Sequence, residues 1–490
     1  MAHSITLALL VTVCSLLAAV DSREVVCYYG TWATYRQGNG KFTVENVNPS
    51  LCTQLVYAFF DINSDGTIRI TDQWLAQPEG LNAIGKFNDL KQRNPTLKTI
   101  AAIGGWNAGK DNFKAVAGNP QLRATFARNA VAFLRKYRFD GMDIDWEYPE
   151  AADKANFVLF LRKLANAFAP NRYLLTVAVA APETTANEAY DIPTISNIVN
   201  YIHLMTYDMH GDYGVTRHHA PVNQGPASLD DTDFKRQLNV EAVIRYWLGK
   251  GAAASKLTLG IPFYGRSFKL ASPGVDGVGA RITGPGTAGR YTMEGGSLGY
   301  NEICESSSWT HKVYDSAQVA AYASDNGEWV SYDTAESINQ KCNVIAKYGL
   351  GGGMVWSIET DDFLSICGPK FTLLTALNNC VNRNASAATT ARPVATTART
   401  TAGAATTARP AVTTTRPAVT TTRPAVTTNR AVTGGSVPFV CPRNGYFRDP
   451  QDCGSFYVCY GGRQDRKNCP SGLYFNEEFS VCDWSYNGTC

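Results

Sequence analysis

A low-complexity segment divides this chain of 490 residues into two parts that must fold separately. Residues 384–436 consist mainly of Thr, Ala, Pro, Val and Arg and contain no acidic residue, and a seven-residue unit TTTRPAV recurs within them. The period invites a coiled-coil interpretation, but proline follows three of the repeated arginines and removes a helix donor each time. We therefore predict an extended, O-glycosylated spacer between a large domain at residues 23–383 and a small one at 437–490.

The distribution of cysteines predicts an oxidising compartment. Of the thirteen cysteines, Cys14 lies in an N-terminal apolar run, six lie between Cys27 and Cys380, and six lie between Cys441 and Cys490. Two sets of six would form two separate sets of disulfides.

The N-terminal apolar run, residues 5–20, is too short for a membrane span and is followed by small residues. We predict a signal peptide at residues 1–22, rather than a buried helix, although His3 is its only basic group. The mature protein should then be secreted and extracellular, and the sequons at Asn384 and Asn487 predict a glycoprotein.

The charge pattern gives no support to a nucleic-acid partner. The net charge of +3 comes from 45 basic and 42 acidic residues, and six of the basic ones are arginines of the spacer. Outside the spacer the net charge is therefore slightly negative, and no predicted folded region carries a cluster of basic residues that would bind nucleic acid. No later stretch predicts a membrane span.

Short apolar runs alternate with longer helical patterns in the large domain. The candidate strands are residues 25–29, 55–60, 99–104, 141–147, 174–179, 202–207, 257–263 and 353–357. Eight strands alternating with helices predict an α/β fold, a (β/α)8 TIM barrel. The gap at about 265–335 is too long for a connection, so we expect a small α+β insertion between the seventh and eighth strands.

The most specific signal is the run FDGMDIDWEYP at residues 139–149. Side chains two positions apart on a strand share a face, so Asp143, Asp145 and Glu147 should lie inside the barrel, with Glu147 at the C-terminal end where such barrels open their active sites. Three such carboxyl groups should titrate as a set with at least one raised pKa. A carboxyl group that stays protonated near neutral pH can protonate a glycosidic oxygen.

Two other interpretations of the acidic run are a solvated edge and a metal site. Interleaved Ile144 and Trp146 disfavour the edge, and a calcium site would use more than one strand. His218 and His219 stand side by side, which suits neither zinc spacing nor one face of a helix, so we expect a polar loop there. No cofactor or metal is predicted.

The run DGMDIDWE at residues 140–147 resembles the signature of the family 18 glycoside hydrolases, the chitinases. The resemblance covers residues 24 to about 380, and it recurs at predicted strand ends in CYYGTW at 27–32, AIGGW at 102–106, MTYD at 205–208, YGRSF at 264–268 and GGGMVW at 351–356.

The resemblance implies roles for four residues in catalysis. Glu147 corresponds to the general acid and base, and Asp145 to the carboxylate that stabilises the substrate's 2-acetamido group. Asp143 resembles the group that exchanges a proton with Asp145. Tyr207 resembles the hydroxyl that hydrogen-bonds the acetamido group.

Further residues are implied to bind substrate. Asp208 and Arg266 would hold the adjacent sugar, Trp356 would form the floor under the distorted sugar, and other aromatic rings would cover sugar faces. The implied binding residues of the large domain are Tyr28, Trp32, Trp106, Met205, Asp208, Tyr264, Arg266, Glu294 and Trp356.

The predicted function is a secreted, endo-acting chitinase that cleaves β-1,4 N-acetylglucosamine linkages with retention, through an oxazolinium intermediate. Its partners would be chitin and chitin oligosaccharides, and we predict a monomer. The alternatives are a chitin-binding lectin without turnover and a structural matrix protein. The intact set of Asp143, Asp145, Glu147 and Tyr207 argues against both.

The last fifty residues contain six cysteines and ten aromatic residues, which predicts a small β module held together by disulfides. Their spacing resembles the peritrophin-type chitin-binding module, in which Trp484 and Tyr474 are our candidates for stacking on sugar rings. The two family resemblances imply five disulfides: Cys27 with Cys52, Cys304 with Cys367, Cys441 with Cys459, Cys453 with Cys490, and Cys469 with Cys482. Cys342 and Cys380 are then left over on the predicted helices that flank the eighth strand, which are neighbours in the outer ring, so we predict a further bond between them.

Overall fold

The computed structural model describes residues 23–211, 214–390, 439–441, 445–460, 463–469, 473–476 and 481–484. The chain forms two compact units, Met1–Thr396 and Thr397–Cys490. The predicted signal peptide and most of the predicted spacer lie outside the described residues. The last helix of the first unit ends at Thr390, which is past the predicted start of the spacer at position 384.

The first unit contains fifteen described strands, numbered in chain order. They are β1 (Glu24–Gly30), β2 (Gln54–Ile62), β3 (Ile68–Ile70), β4 (Lys98–Gly104), β5 (Gly141–Asp145), β6 (Leu174–Ala180), β7 (Tyr201–Met205), β8 (Leu257–Pro262), β9 (Tyr264–Leu270), β10 (Ile282–Pro285), β11 (Ser297–Gly299), β12 (His311–Asp315), β13 (Ala320–Asp325), β14 (Glu328–Tyr332) and β15 (Gly352–Trp356).

Eight of these strands close into a parallel ring. The order is β1, β2, β4, β5, β6, β7, β8 and β15, and β15 pairs with β1 again. β3 adds to β2 in the antiparallel sense. The prediction of a (β/α)8 barrel is confirmed, and each of the eight candidate strands corresponds to one strand of the ring.

Helices surround the ring. Those described are α1 (Gln73–Ala76), α2 (Ala83–Asp89), α3 (Asp111–Gly118), α4 (Pro120–Tyr137), α5 (Lys154–Phe168), α6 (Glu183–Ala189), α7 (Ile192–Ile198), α8 (Asp233–Arg236), α9 (Val240–Gly249), α10 (Tyr300–Glu305), α11 (Ala335–Tyr348) and α12 (Thr372–Thr390). In α4 the side chain of Asn119 caps the N-terminus and Pro120 occupies the first turn. Phe126 and Leu134 lie on its buried face. The main core therefore lies between strands and helices.

The predicted insertion between the seventh and eighth barrel strands is present. β9 to β14 form a second, antiparallel sheet in the order β10, β9, β14, β13 and β12, with β11 also paired to β9. β9 begins two residues after the end of β8, so the insertion starts at the mouth of the barrel.

Three disulfides link parts of the first unit. They join Cys27 to Cys52 and Cys304 to Cys367, the pairs that the resemblance implies, and Cys342 to Cys380, the pair predicted from the two cysteines left over. The third bond connects α11 to α12, the two helices on either side of β15 in the chain.

The described residues of the second unit form β strands. β16 (Gly445–Asp449), β17 (Asp452–Tyr460) and β18 (Arg463–Asn468) make one sheet, and β19 (Leu473–Asn476) pairs with β20 (Val481–Trp484). Cys441 is bonded to Cys459. The two other implied disulfides include Cys490 or Cys482, and these side chains, like those of Tyr474 and Trp484, lie outside the described residues. No described helix is long and apolar enough to cross a membrane.

Candidate functional site

The acidic run is positioned by the end of β5. The strand ends at Asp145, two residues earlier than the sequence pattern predicts, because the buried Trp146 stacks on Phe113 of α3 at a ring distance of 5.3 Å. The N–H of Gly105, which follows β4, donates to the carbonyl of Asp145 at 2.8 Å. Glu147 therefore lies beyond the strand, at the mouth of the barrel, and not on the strand itself.

Asp143 lies deepest of the three carboxyl groups and has no exposed surface. Its Oδ2 accepts a hydrogen bond from the Tyr28 hydroxyl at 2.8 Å, and its Oδ1 accepts one from the Thr176 hydroxyl at 2.6 Å. Burial raises the pKa of Asp143 to about 6, although both hydrogen bonds favour the charged form. Asp143 can thus exist in either protonation state near pH 6.

Asp145 and Glu147 are both held towards their protonated forms. Burial, followed by the charges of Glu147 and Asp143, raises the pKa of Asp145 well above its usual value. Burial, with a smaller contribution from the charge of Asp208, raises the pKa of Glu147 to about 7. A hydrogen bond from Tyr148 opposes this shift. The prediction that at least one carboxyl pKa is raised is confirmed, and Glu147 can deliver a proton near neutral pH.

Aromatic rings form one wall of the site. Trp356, at the end of β15, stacks on Phe59 at a ring distance of 5.6 Å and meets the edge of Tyr28 at 5.6 Å. Trp32 lies 6.0 Å from Trp356 and is 42% exposed, and Trp106 is 67% exposed. Exposed indoles that line one wall of a cleft suit the apolar face of a sugar ring.

A charged pair lies across the end of β7. β7 ends at Met205, and Asp208 adopts a left-handed backbone conformation with φ of 54°. Arg266 of β9 donates from Nε and Nη2 to the two carboxylate oxygens of Asp208, at 2.7 and 2.5 Å. Although burial opposes it, this contact holds the pKa of Asp208 well below its usual range. Glu294 lies 3.8 Å from Arg266.

The predicted residues of the large domain meet in a single cleft of about 1190 Å³. Those that line it are Tyr28, Trp32, Trp106, Asp145, Glu147, Met205, Tyr207, Asp208, Tyr264, Arg266, Glu294 and Trp356. Asp143 does not line the cleft but contacts it through Tyr28. Because β7 ends at Met205, Tyr207 and Asp208 both reach the cleft, which neighbouring positions on an ideal strand could not do.

Sequence reasoning missed two neighbours of the catalytic carboxyl groups and one neighbour of Trp356. Tyr148 hydrogen-bonds Glu147, Thr176 hydrogen-bonds Asp143, and Phe59 supports Trp356. Tyr148 stands directly after Glu147, which is a usable signal. Phe59 and Thr176 sit in apolar strands and carry no local mark of their role.

His218 and His219 lie in a loop, as expected, but this loop is not at the surface. Both imidazoles are buried, with 0% and 1% exposure. His218 lies against Ser331 and Asp315 of the insertion, and His219 lies against Asp208 in the cleft. The side chains of adjacent residues diverge here, so each meets a different part of the fold.

Among the described residues, one group of three potential metal ligands lies close together: Cys304, Asp362 and Cys367. The two cysteines are joined in a disulfide and therefore offer no thiolate.

The sequence matches the family described as Glycosyl hydrolases family 18 over residues 24–361. The chain belongs to this family. Residues 441–490 match a second family, the chitin-binding Peritrophin-A domain. The predictions of a chitinase-type glycosyl hydrolase and of a chitin-binding module are confirmed at the level of these families.

Relatives of this family 18 member extend over most of the chain. Chitotriosidase-1 of Mus musculus is 33% identical over 486 residues, which cover 95% of this chain and 96% of the relative. The crystal structure of Ostrinia furnacalis Group IV chitinase in complex with allosamidin is 41% identical, with a TM-score of 0.70, covering 74% of this chain and 99% of the other.

A third relative differs in what its description says. Human YKL-39, described as a pseudo-chitinase with retained chitooligosaccharide binding, is 33% identical, with a TM-score of 0.68, covering 73% of this chain and 99% of that one. The fold alone therefore does not distinguish hydrolysis from binding, and the residues of the site must do so.

Proposed function

We propose that this protein is an endo-acting chitinase that cleaves β-1,4 N-acetylglucosamine linkages with retention of configuration. The observation that carries the proposal is Glu147, a carboxyl group with a pKa raised to about 7, next to Asp145 in a cleft lined by exposed indoles. The similarity to chitotriosidase-1 and to the Ostrinia furnacalis Group IV chitinase solved with allosamidin supports the substrate class.

In the proposed reaction the substrate supplies its own nucleophile. Glu147 donates its proton to the glycosidic oxygen while the acetamido oxygen of the sugar attacks the anomeric carbon, and the bond to the leaving sugar breaks. Asp145 and Tyr207 stabilise the resulting oxazolinium ion. Glu147, now a carboxylate, takes a proton from water, which attacks the same carbon and opens the ring.

The arrangement of acids in the cleft supports this route over one with two opposed carboxylates. Asp145 lies two residues from Glu147 on the same segment, so it stands on the same side of the bond to be cleaved. Asp208 is engaged by both donors of Arg266. Neither residue is suited to attack or to activate water from the far side of the sugar.

The anomer released first tests the mechanism. We expect the new reducing end from a chitin oligosaccharide to appear as the β anomer, observed by proton NMR before mutarotation. Glu147→Gln should lower kcat by orders of magnitude while oligosaccharide binding persists, and Asp145→Asn should also lower kcat. Early α anomer would refute retention, and binding without any turnover by the unaltered protein would identify a lectin.

The rest of the chain fits a secreted enzyme tethered to its substrate. We propose that residues 1–22 are a cleaved signal peptide and that residues 384–436 join the domain at 23–383 to the module at 437–490. Trp484 would contact chitin in the module, and the protein would act as a monomer. The match to a chitin-binding Peritrophin-A domain supports an extracellular location.

A further inference from the structure

His219 makes a direct contact with the charged pair of the cleft. Its Nδ1 lies 3.2 Å from Oδ1 of Asp208, the oxygen that also accepts from Nε of Arg266. The imidazole is 1% exposed, whereas the carboxylate side chain of Asp208 is 39% exposed. The histidine therefore approaches Asp208 from the protein side and leaves its outer face open to the cleft.

The chemistry of the contact fixes the direction of the hydrogen bond. A carboxylate can only accept, so Nδ1 of His219 must carry the proton and donate it. Nε2 is buried and has no hydrogen-bond partner among the described residues. The ring also packs against Tyr264 at a ring distance of 5.2 Å. The side chain thus makes its one hydrogen bond to Asp208 from a fixed position.

The backbone of His219 also contacts the segment that contains Asp208. Its carbonyl accepts a hydrogen bond from the N–H of Met209 at 2.9 Å, directly after Asp208. Asp208 has a φ of 54°, a left-handed conformation that costs free energy for a residue other than glycine. Surrounding contacts must maintain such a conformation, and those of His219 act on both the side chain and the main chain.

We propose that His219 is a positioning residue that keeps the Asp208 carboxylate aligned with Arg266 to bind the sugar next to the scissile bond. This inference rests on the proposed function. Without the Nδ1 donor, Asp208 keeps the contacts to Arg266, whose side chain is itself 31% exposed, and a hydrogen bond with the side chain of Tyr264. The carboxylate of Asp208 would then be held less firmly, and substrate binding would have to order it.

The neighbouring residue provides a matched control. His218 is as deeply buried, but its Nδ1 lies 3.0 Å from the hydroxyl of Ser331 and its Nε2 lies 3.4 Å from Asp315. Both partners belong to the insertion, and His218 does not line the cleft. Replacing His218 therefore reproduces the loss of a buried imidazole without altering the contact to Asp208.

The test compares His219→Leu, His219→Asn and His218→Leu in the full-length protein, with hexa-N-acetylchitohexaose as substrate. We expect His219→Leu to raise KM about fivefold to tenfold, the effect of about one lost hydrogen bond, and to change kcat less than about twofold. His219→Asn should restore KM, because its amide N–H stands where Nδ1 stood. His218→Leu should leave KM unchanged even if its melting temperature falls.

The same variants in a Glu147→Gln background separate this inference from the proposed function. Calorimetric titration with the hexasaccharide should show weaker binding for His219→Leu and restored binding for His219→Asn, whether or not the parent protein hydrolyses chitin. Unchanged binding in His219→Leu, equal weakening in His218→Leu, or no recovery in His219→Asn would each overturn the positioning role.

Discussion

Burial sets the protonation of the carboxyl groups at the end of β5. Asp143, Asp145 and Glu147 lie within five residues, and removal from water raises the pKa of each more than any other cause. The hydrogen bonds that Thr176 and Tyr28 donate to Asp143 reduce the rise in its pKa but do not cancel it. Glu147 differs from a surface glutamate because the fold withholds water from it.

The pKa of Glu147 predicts the pH dependence of catalysis. Its acid form is lost as the pH rises through about 7, so kcat/KM on a soluble oligosaccharide should fall about tenfold per pH unit above that value. The measurement is a pH profile of kcat/KM, which reports the pKa values of the free enzyme. A constant kcat/KM up to pH 9 would contradict the assignment of Glu147 as the general acid.

The same group should also make stability depend on pH. Between pH of about 4, where an unfolded glutamate titrates, and about 7, the folded state holds a proton that the unfolded state has lost, so stability falls as the pH rises. Glu147→Gln removes this loss. The melting temperature of Glu147→Gln minus that of the unaltered protein should therefore be larger at pH 8 than at pH 4. The increase should be about 2–4 °C for each kcal/mol of unfolding free energy that the unaltered protein loses between these pH values.

Glu150, three residues after Glu147, is a control because its pKa is shifted in the opposite direction. It accepts from Lys110 at 2.6 Å and from Lys114 at 2.7 Å, and these contacts lower its pKa to about 2. A lowered pKa stabilises the folded protein above pH of about 4, so Glu150→Gln should not raise the melting temperature at pH 8. If Glu150→Gln raised the melting temperature at pH 8 as much as Glu147→Gln does, the gain would come from removing any negative charge and not from the raised pKa of Glu147.

At the scale of elements, the last two helices of the barrel are joined covalently. The disulfide between Cys342 and Cys380 closes a loop with a sequence separation of 38 residues between α11 and α12. Both cysteines are buried in the main core, away from the cleft. The bond therefore acts on stability and not on substrate binding.

Replacing both cysteines with serine should lower the free energy of unfolding by about 4 kcal/mol, because the unfolded chain regains the entropy of that loop. Chemical denaturation of the double variant measures this loss, and kcat on soluble oligosaccharides at 25 °C should stay unchanged. Peptide mapping of the unreduced parent protein provides the check on pairing. Recovery of Cys342 and Cys380 as free thiols would refute the bond.

At the scale of the whole molecule, hydrolysis and attachment to chitin are assigned to different units. The complete cleft lies in the first unit, and the Peritrophin-A match lies in the second. The segment predicted to be a spacer, which is rich in Thr and Pro, would join them. The two activities should therefore be separable by truncation.

Deleting everything after Thr390, where α12 ends, should leave kcat and KM on soluble oligosaccharides nearly unchanged. Activity on solid chitin should fall, because the tethered module raises the concentration of the enzyme at the surface. Product release from both substrates, measured side by side, gives the comparison. An equal loss on both would mean that the second unit contributes to the folding of the barrel or to the cleft.

The sequence alone was enough to predict the barrel, the insertion and most of the cleft. Alternation of apolar strands and helices is a local property, and the motifs that carry Glu147, Tyr207 and Trp356 stand at strand ends, where a closed parallel barrel brings them together. The same pattern misplaced the end of β5, since the period of a strand does not reveal that Trp146 leaves the barrel to pack on Phe113.

Only the tertiary structure decided the environments of the side chains. His218 and His219 look like a polar loop in the sequence, yet the insertion and the cleft bury them on two different sides. Phe59 becomes part of the site only because the closed barrel brings β2 and β15 to either side of β1, where its ring stacks on Trp356. The raised pKa of Glu147 likewise depends on groups far apart in the chain, because burial is produced by every element that closes around a residue and not by its neighbours in sequence.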